Sequence, residues 1–346
     1  SGEELVKEQA FVFPDRSGEL IALRPELTPT LARMVAAQQN ALTFPLRWWS
    51  FGPFWRYERP QKGRSREFFQ WNIDLIGVEG VAADAELIAV AATFFRNVGL
   101  RPDHVQILVN NRKFMEMELY RIGISAELRP AILRLIDRID KQPAEVWDEN
   151  VLKLGLLPNQ LSSLKALLAN KDLWQRSEEL QALFQQLEAL GVAEFVAYDP
   201  KIIRGLDYYT GIVFEAHDTT GEFRAILGGG HYANLVEDVG GKPLPGVGFA
   251  MGDVVIMLLL ESLGLIPEQK RAGEGVLMTV FDSAHQEVAA RIATRLREAG
   301  LQVILYPEAD KLAKQLKYAD RIGVRCALVI GPDEVAENTV VIKDLA

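Results

Sequence analysis

Three polar residues, Gln70, Asn72 and Asp74, occupy every second position of an aromatic-rich stretch. A β-strand there turns all three to one face and Phe69, Trp71, Ile73 and Leu75 to the other. From Trp48 to Ile76 two such runs flank the polar loop Arg59 to Arg66, the pattern of a long antiparallel hairpin. On its first arm Arg56 and Glu58 share a face, with Phe54 before them in register. A sheet wall bearing guanidinium, carboxamide and carboxylate groups suits a small zwitterion with a phosphate attached. A solvated sheet face carries the same alternation. Arg56, Arg59, Lys62, Arg64 and Arg66 lie within eleven residues, a polyanion footprint whose composition a solubilising loop tip shares.

A second cluster runs Arg204-Gly205-Leu206-Asp207-Tyr208-Tyr209-Thr210-Gly211, crowding an arginine, an acid and two tyrosines into a turn that enters a strand. A fixed guanidinium and phenol hydroxyls can orient a polar ligand there, or the tyrosines can simply cover core. Gly228-Gly229-Gly230 allows close backbone approach but has neither dinucleotide nor Walker spacing. The histidines His104, His217, His231 and His285 have no triad-like companions and read as structural. Cys326 reads as core packing, and no His/Cys group has metal-ligand spacing.

The elements that must position these groups fall into blocks. A strand-turn-strand at Phe11 to Leu23 precedes a helix capped by Thr28 with Pro29 at its first position. After the hairpin come a helix from near Asp84 to Gly99 and a strand at Val105 to Val109. Residues 115–195, rich in Leu, Gln, Glu, Lys and Arg with helical spacing, read as a helical insertion. Strands are expected at Gly211 to His217 and at Arg224 to Leu227, the latter followed by the glycine run, then a helix over Gly252 to Leu263. Residues 264–274 read as a linker. Beyond it strands and helices alternate, with a capping box at Ser283 and Gln286 and a positive stripe of Lys311, Lys314, Lys317, Arg321 and Arg325, so 275–346 reads as a small α/β domain.

The 346 residues exceed what one core sustains. Thirty-eight basic against forty-seven acidic residues give −9, which leaves nucleic acid to local basic patches. One cysteine, no signal peptide and no uninterrupted apolar span point to a cytoplasmic chain without a membrane segment. It opens at Ser1 without an initiator Met, so the natural start is expected upstream.

Taken together, these segments resemble the histidyl-tRNA synthetases, a family of class II aminoacyl-tRNA synthetases. Leu23 to Thr28 is similar to the family's amino-acid-binding segment, and Phe54 to Arg64 with Glu67 to Gln70 to class II motif 2. Arg204 to Gly211 and Gly228 to Tyr232 are similar to its two signatures, with His231 where the family usually has arginine. Lys311 to Asp320 is similar to the helix of its anticodon-binding domain. The resemblance implies an α+β catalytic domain over 1–114 and 196–263, an antiparallel sheet with flanking helices, followed by an anticodon-binding α/β domain. It further implies a homodimer, ATP, Mg²⁺, histidine and the histidine tRNA, with histidyl-adenylate as intermediate. By resemblance Arg56 and Arg204 meet at the α-phosphate, while Glu58, Arg64 and Arg56 hold ATP. Asp74 and Tyr209 take the two ends of the imidazole; Glu26, Thr28, Gln70 and Tyr232 complete the histidine site. The motif 3 arginine is missing, since Gly252-Asp253-Val254-Val255 stands at the matching place. The alternative is a non-catalytic, histidine-binding regulatory paralogue of ATP phosphoribosyltransferase, which usually lacks the Arg204 to Tyr209 element and the last domain.

Overall fold

The computed structural model of the protein describes residues 9–58, 63–205, 208–267 and 275–345. Arg59 and Lys62 of the loop, Leu206 and Asp207 of the second cluster and most of the expected linker lie outside the described residues. The chain divides into two units, Ser1–Ile266 and Pro267–Ala346.

In the first unit a short hairpin, β1 (Val12–Pro14) and β2 (Leu20–Ala22), precedes helix α1 (Thr28–Gln38). Thr28 begins that helix and does not cap it: Leu27 holds the cap position without a side-chain bond, and Thr28 hydrogen-bonds with Tyr208. The expected long hairpin is β3 (Leu46–Trp55) paired with β4 (Glu67–Ile76), in register from Leu46 opposite Ile76 to Trp55 opposite Glu67. Arg56 and Glu58 therefore lie just past the strand, although the Arg56 N–H still bonds the Arg66 carbonyl.

Helix α2 (Val81–Asn97) starts earlier than expected, because Gly80 at φ 107° breaks the incoming chain and leaves Asp84 in the first turn, buried. Strand β5 (Val105–Asn111) leads into α3 (Arg112–Arg121), α4 (Arg129–Ile136), α5 (Ala144–Lys153), α6 (Pro158–Ala169) and α7 (Glu178–Ala189). Then come β6 (Val196–Tyr198), β7 (Ile212–Asp218), β8 (Leu227–Tyr232), α8 (Leu235–Asp238), β9 (Gly246–Gly252) and α9 (Asp253–Ser262).

Seven strands form one sheet in the order β3-β4-β9-β8-β7-β5-β6, antiparallel throughout except for the parallel β5–β6 pair. One core cluster packs α2 and helices α3 to α7 with Ile107, Phe214 and Phe249; a second joins α1 and α8 to Val213, Tyr209 and Tyr232. Gly228 to Gly230 lie inside β8 and do not follow a strand at Arg224 to Leu227 as expected. Neighbours leave no room for side chains: a Cβ at 229 would overlap the Gly248 carbonyl, and one at 230 would stand 2.8 Å from the Tyr209 ring.

The second unit holds β10 (Val276–Met278), α10 (Gln286–Glu298), β11 (Val303–Leu305), α11 (Leu312–Ile322), β12 (Cys326–Val329), α12 (Pro332–Glu337) and β13 (Val341–Asp344). Its sheet runs β11-β10-β12-β13, with the first three parallel and β13 antiparallel. The Ser283–Gln286 capping box does not form. His285 holds the cap position and its N–H bonds Asp282 at 3.0 Å.

Candidate active site

A cavity of about 1150 Å³ opens over the sheet of the first unit. Glu26, Thr28, Arg56, Glu58, Arg64, Gln70, Arg204, Tyr209 and Tyr232 all line it. Asn72 lines it as well, whereas Asp74 is buried one step behind the wall, with Gly248 pressed against its carboxylate.

Asp74 accepts a 2.8 Å hydrogen bond from the Tyr232 hydroxyl. Burial raises its pKa to about 7, and the bond from Tyr232 only partly offsets this. Near neutral pH it can therefore either accept or donate. Tyr209 does not face Asp74 directly as its hydrogen-bond partner; it hydrogen-bonds with Tyr208 and Arg204, its ring 4.7 Å from that of Tyr208. Burial raises the pKa of Tyr208, Tyr209 and Tyr232, so all three stay protonated.

Arg204 is held from several sides. Its Nη1 donates to Glu215 Oε1, whose other oxygen lies 2.9 Å from His217 Nε2. Burial alone would raise the Glu215 pKa, but Arg204 and His217 overcome it and bring it to about 2. The same carboxylate holds the Arg204 pKa above its usual value against burial. Arg204 Nε is buried with no hydrogen-bond partner among the described residues, which leaves a donor for a ligand. A Cβ on Gly228 would overlap the Arg204 guanidinium, so glycine there makes its place. The backbone at Arg204 is left-handed, φ 64°.

Arg56 Nε donates to the Pro25 carbonyl at 2.9 Å, with its guanidinium 5.3 Å from the Phe68 ring centre. Burial lowers its pKa, and the charge of Arg204 adds to that, as two guanidinium groups facing one space must. Glu58 bridges Arg64 at 2.8 Å.

Sequence reasoning passed over Glu215 and Arg224 as site residues and read His217 as structural. Period two along β7 puts Glu215 and His217 on one face, a signal that lacked meaning until Arg204 arrived opposite. His231 lies 3.1 Å from the buried Asp84 carboxylate.

A largely antiparallel sheet that brings two distant arginines over glycine-bearing strands defines a class II aminoacyl-tRNA synthetase core, and solved structures of that class superpose on it. A histidyl-tRNA synthetase from a Nostoc species gives a TM-score of 0.80 at 26% identity, covering 97% of this chain and 82% of that one. A Bacillus halodurans chain described as an ATP phosphoribosyltransferase regulatory subunit/histidyl-tRNA synthetase, at 23% identity and a TM-score of 0.72, shares the fold. The histidyl-tRNA synthetase family model matches residues 1–253 and an anticodon binding domain model matches 265–346. Named histidine–tRNA ligases are 39% identical over 362 residues in Opitutus terrae and 37% over 356 in Arabidopsis thaliana, the latter chloroplastic/mitochondrial. Both matches span all of this chain, and 82% and 73% of the relatives. The chain belongs to the histidyl-tRNA synthetase family.

Proposed function

We propose that the protein is a histidine–tRNA ligase that joins histidine to ATP as histidyl-adenylate, releases pyrophosphate, and passes the histidyl group to the 3′ end of the histidine tRNA. The observation that carries this reading is that Arg56 and Arg204 line the same cavity as Gln70, Tyr209 and Tyr232. The histidine carboxylate is ionised at neutral pH, so its attack on the α-phosphorus needs alignment and neutralisation of phosphate charge, not a general base. Arg56 and Arg204 supply that neutralisation, and Glu215 and Gly228 fix where Arg204 points. Asp74, through Tyr232, and Tyr209 address the imidazole, while Glu26, Thr28 and Gln70 hold the α-ammonium.

ATP is a substrate here, held by Arg56, Glu58 and Arg64. Mg²⁺ would enter with it and neutralise phosphate charge. Mg²⁺ is commonly bound by one or two carboxylates together with phosphate oxygens, and Glu58 at the cavity wall is such a group. Residues 1–114 with 196–263 form the catalytic domain in this reading, 115–195 an insertion, 264–274 a linker, and 275–346 the part that receives the anticodon. Homodimerisation is supported by β3, an edge strand with Trp48, Trp49 and Phe51 exposed. A cytoplasmic location is in keeping with the described residues, where no helix is long and apolar enough to cross a membrane.

Histidine-dependent exchange of labelled pyrophosphate into ATP tests the reading, with other amino acids as controls. Activity in the wild type and its loss in Arg56→Ala and Arg204→Ala are expected. Histidine binding without exchange would instead mark a regulatory paralogue.

A further inference from the structure

Most cationic side chains lining the cavity already have a protein partner. Arg204 is bound to Glu215, Arg56 to the Pro25 carbonyl, and Arg64 to Glu58. Where β9 delivers the chain into α9, the cavity is lined by Asp253, Val254 and Val255, none of them a cation, and the Asp253 carboxylate accepts the Phe69 N–H at 3.1 Å. Arg224 enters the same cavity from the connection between β7 and β8, exposed, and has no ion-pair or hydrogen-bond partner among the described residues.

We infer that Arg224 receives the two outer phosphates of ATP, the pair that departs as pyrophosphate, at the end of the cavity where the start of α9 offers no cation. The assignment rests on the adenylation reading above. An arginine with uncommitted donors gains charge-assisted bonds to a phosphate without breaking others, whereas Arg64 shares its charge with Glu58. Arg224 and Arg64 also repel each other. After burial, the charge of Arg64 is what lowers the Arg224 pKa, with Glu58 opposing, and an anion between two such groups relieves the repulsion. Gly63 and Gly221, both with positive φ, line the cavity and keep its wall free of side chains there.

The test is exchange kinetics on the full chain, varying ATP, pyrophosphate and histidine in turn, for wild type, Arg224→Ala and Arg224→Gln. Loss of one charged contact should raise KM for both ATP and pyrophosphate by about 10- to 100-fold. KM for histidine should stay within about twofold, since the groups assigned to histidine are untouched. Thermal melts should overlay, because Arg224 is exposed; if the alanine variant melts early, the glutamine variant decides. An unchanged KM for pyrophosphate overturns the assignment even if KM for ATP moves, because pyrophosphate carries only the phosphates in question. A wild-type chain that shows no histidine-dependent exchange overturns the adenylation reading itself, a failure distinct from that of Arg224 alone.

Discussion

At the inner end of the cavity the polar groups are buried and already engaged with one another: Asp74 with Tyr232, Arg204 with Glu215, Glu215 with His217, Tyr209 with Tyr208. At the outer end Arg64 is in contact with solvent and Arg224 is exposed, on loops where the backbone is shaped by glycines. In the proposed reading the two ends meet different demands. Selecting a ring with two distinct nitrogens requires groups fixed before the ligand arrives, because a wrong ligand then leaves buried partners unpaired. Holding a polyanion requires charge, which tolerates movement.

This contrast can be broken most sharply at Arg204. Arg204→Ala should cut histidine-dependent exchange by about 10²–10³, the cost of losing a charge-stabilising donor. Gly228→Ala should approach the same loss by displacing the guanidinium. A Gly228→Ala protein with near-normal rates would show that the inner end adapts after all. Tyr232→Phe removes the hydroxyl from Asp74 and should raise KM for histidine by about 10- to 100-fold with KM for ATP unchanged.

The protonation of Asp74 offers a check on the fold. Its folded pKa of about 7 exceeds its ordinary value of 3.8, so the folded state binds the extra proton. Its contribution to stability is therefore greatest below pH 4 and falls as pH rises towards 7. Urea unfolding across that window should show Asp74→Asn gaining on the wild type by on the order of 1–3 kcal/mol at the upper end. Parallel curves would mean the carboxylate is better solvated than its burial implies.

At the outer end, raising salt from about 0.05 to 0.5 M should raise KM for ATP several-fold and KM for histidine much less, since screening acts on exposed charges. The smallest effect belongs to the second unit. Lys317→Ala on α11 should weaken tRNA in the aminoacylation assay modestly, lower the salt slope by about one, and leave exchange untouched.

How far the sequence could be read follows the same divide between local and tertiary causes. The alternation at Gln70, Asn72 and Asp74 is a local signal, and β4 places all three side chains inward. The meeting of Arg56 with Arg204 has no local signal at all; only the resemblance anticipated it. Three glycines disfavour a strand by propensity, and β8 exists because β7 and β9 pair with it on either side and leave no space for Cβ atoms. Ser283 with Gln286 satisfied a capping pattern, yet Asp282 took the bond. Thr28 likewise matched a cap and served Tyr208 instead. Glu215 was legible as a strand residue but not as the partner of Arg204, since nothing in β7 indicates what comes to face it.

The left-handed backbone at Arg204 bears on how such chains evolve. A side chain is uncomfortable in that conformation and glycine is not. In a lineage freed from making adenylate, selection for thermal robustness alone would favour glycine at 204 together with a neutral residue at 215. That paired replacement would mark, in a genome, a descendant that kept the pocket and gave up the reaction.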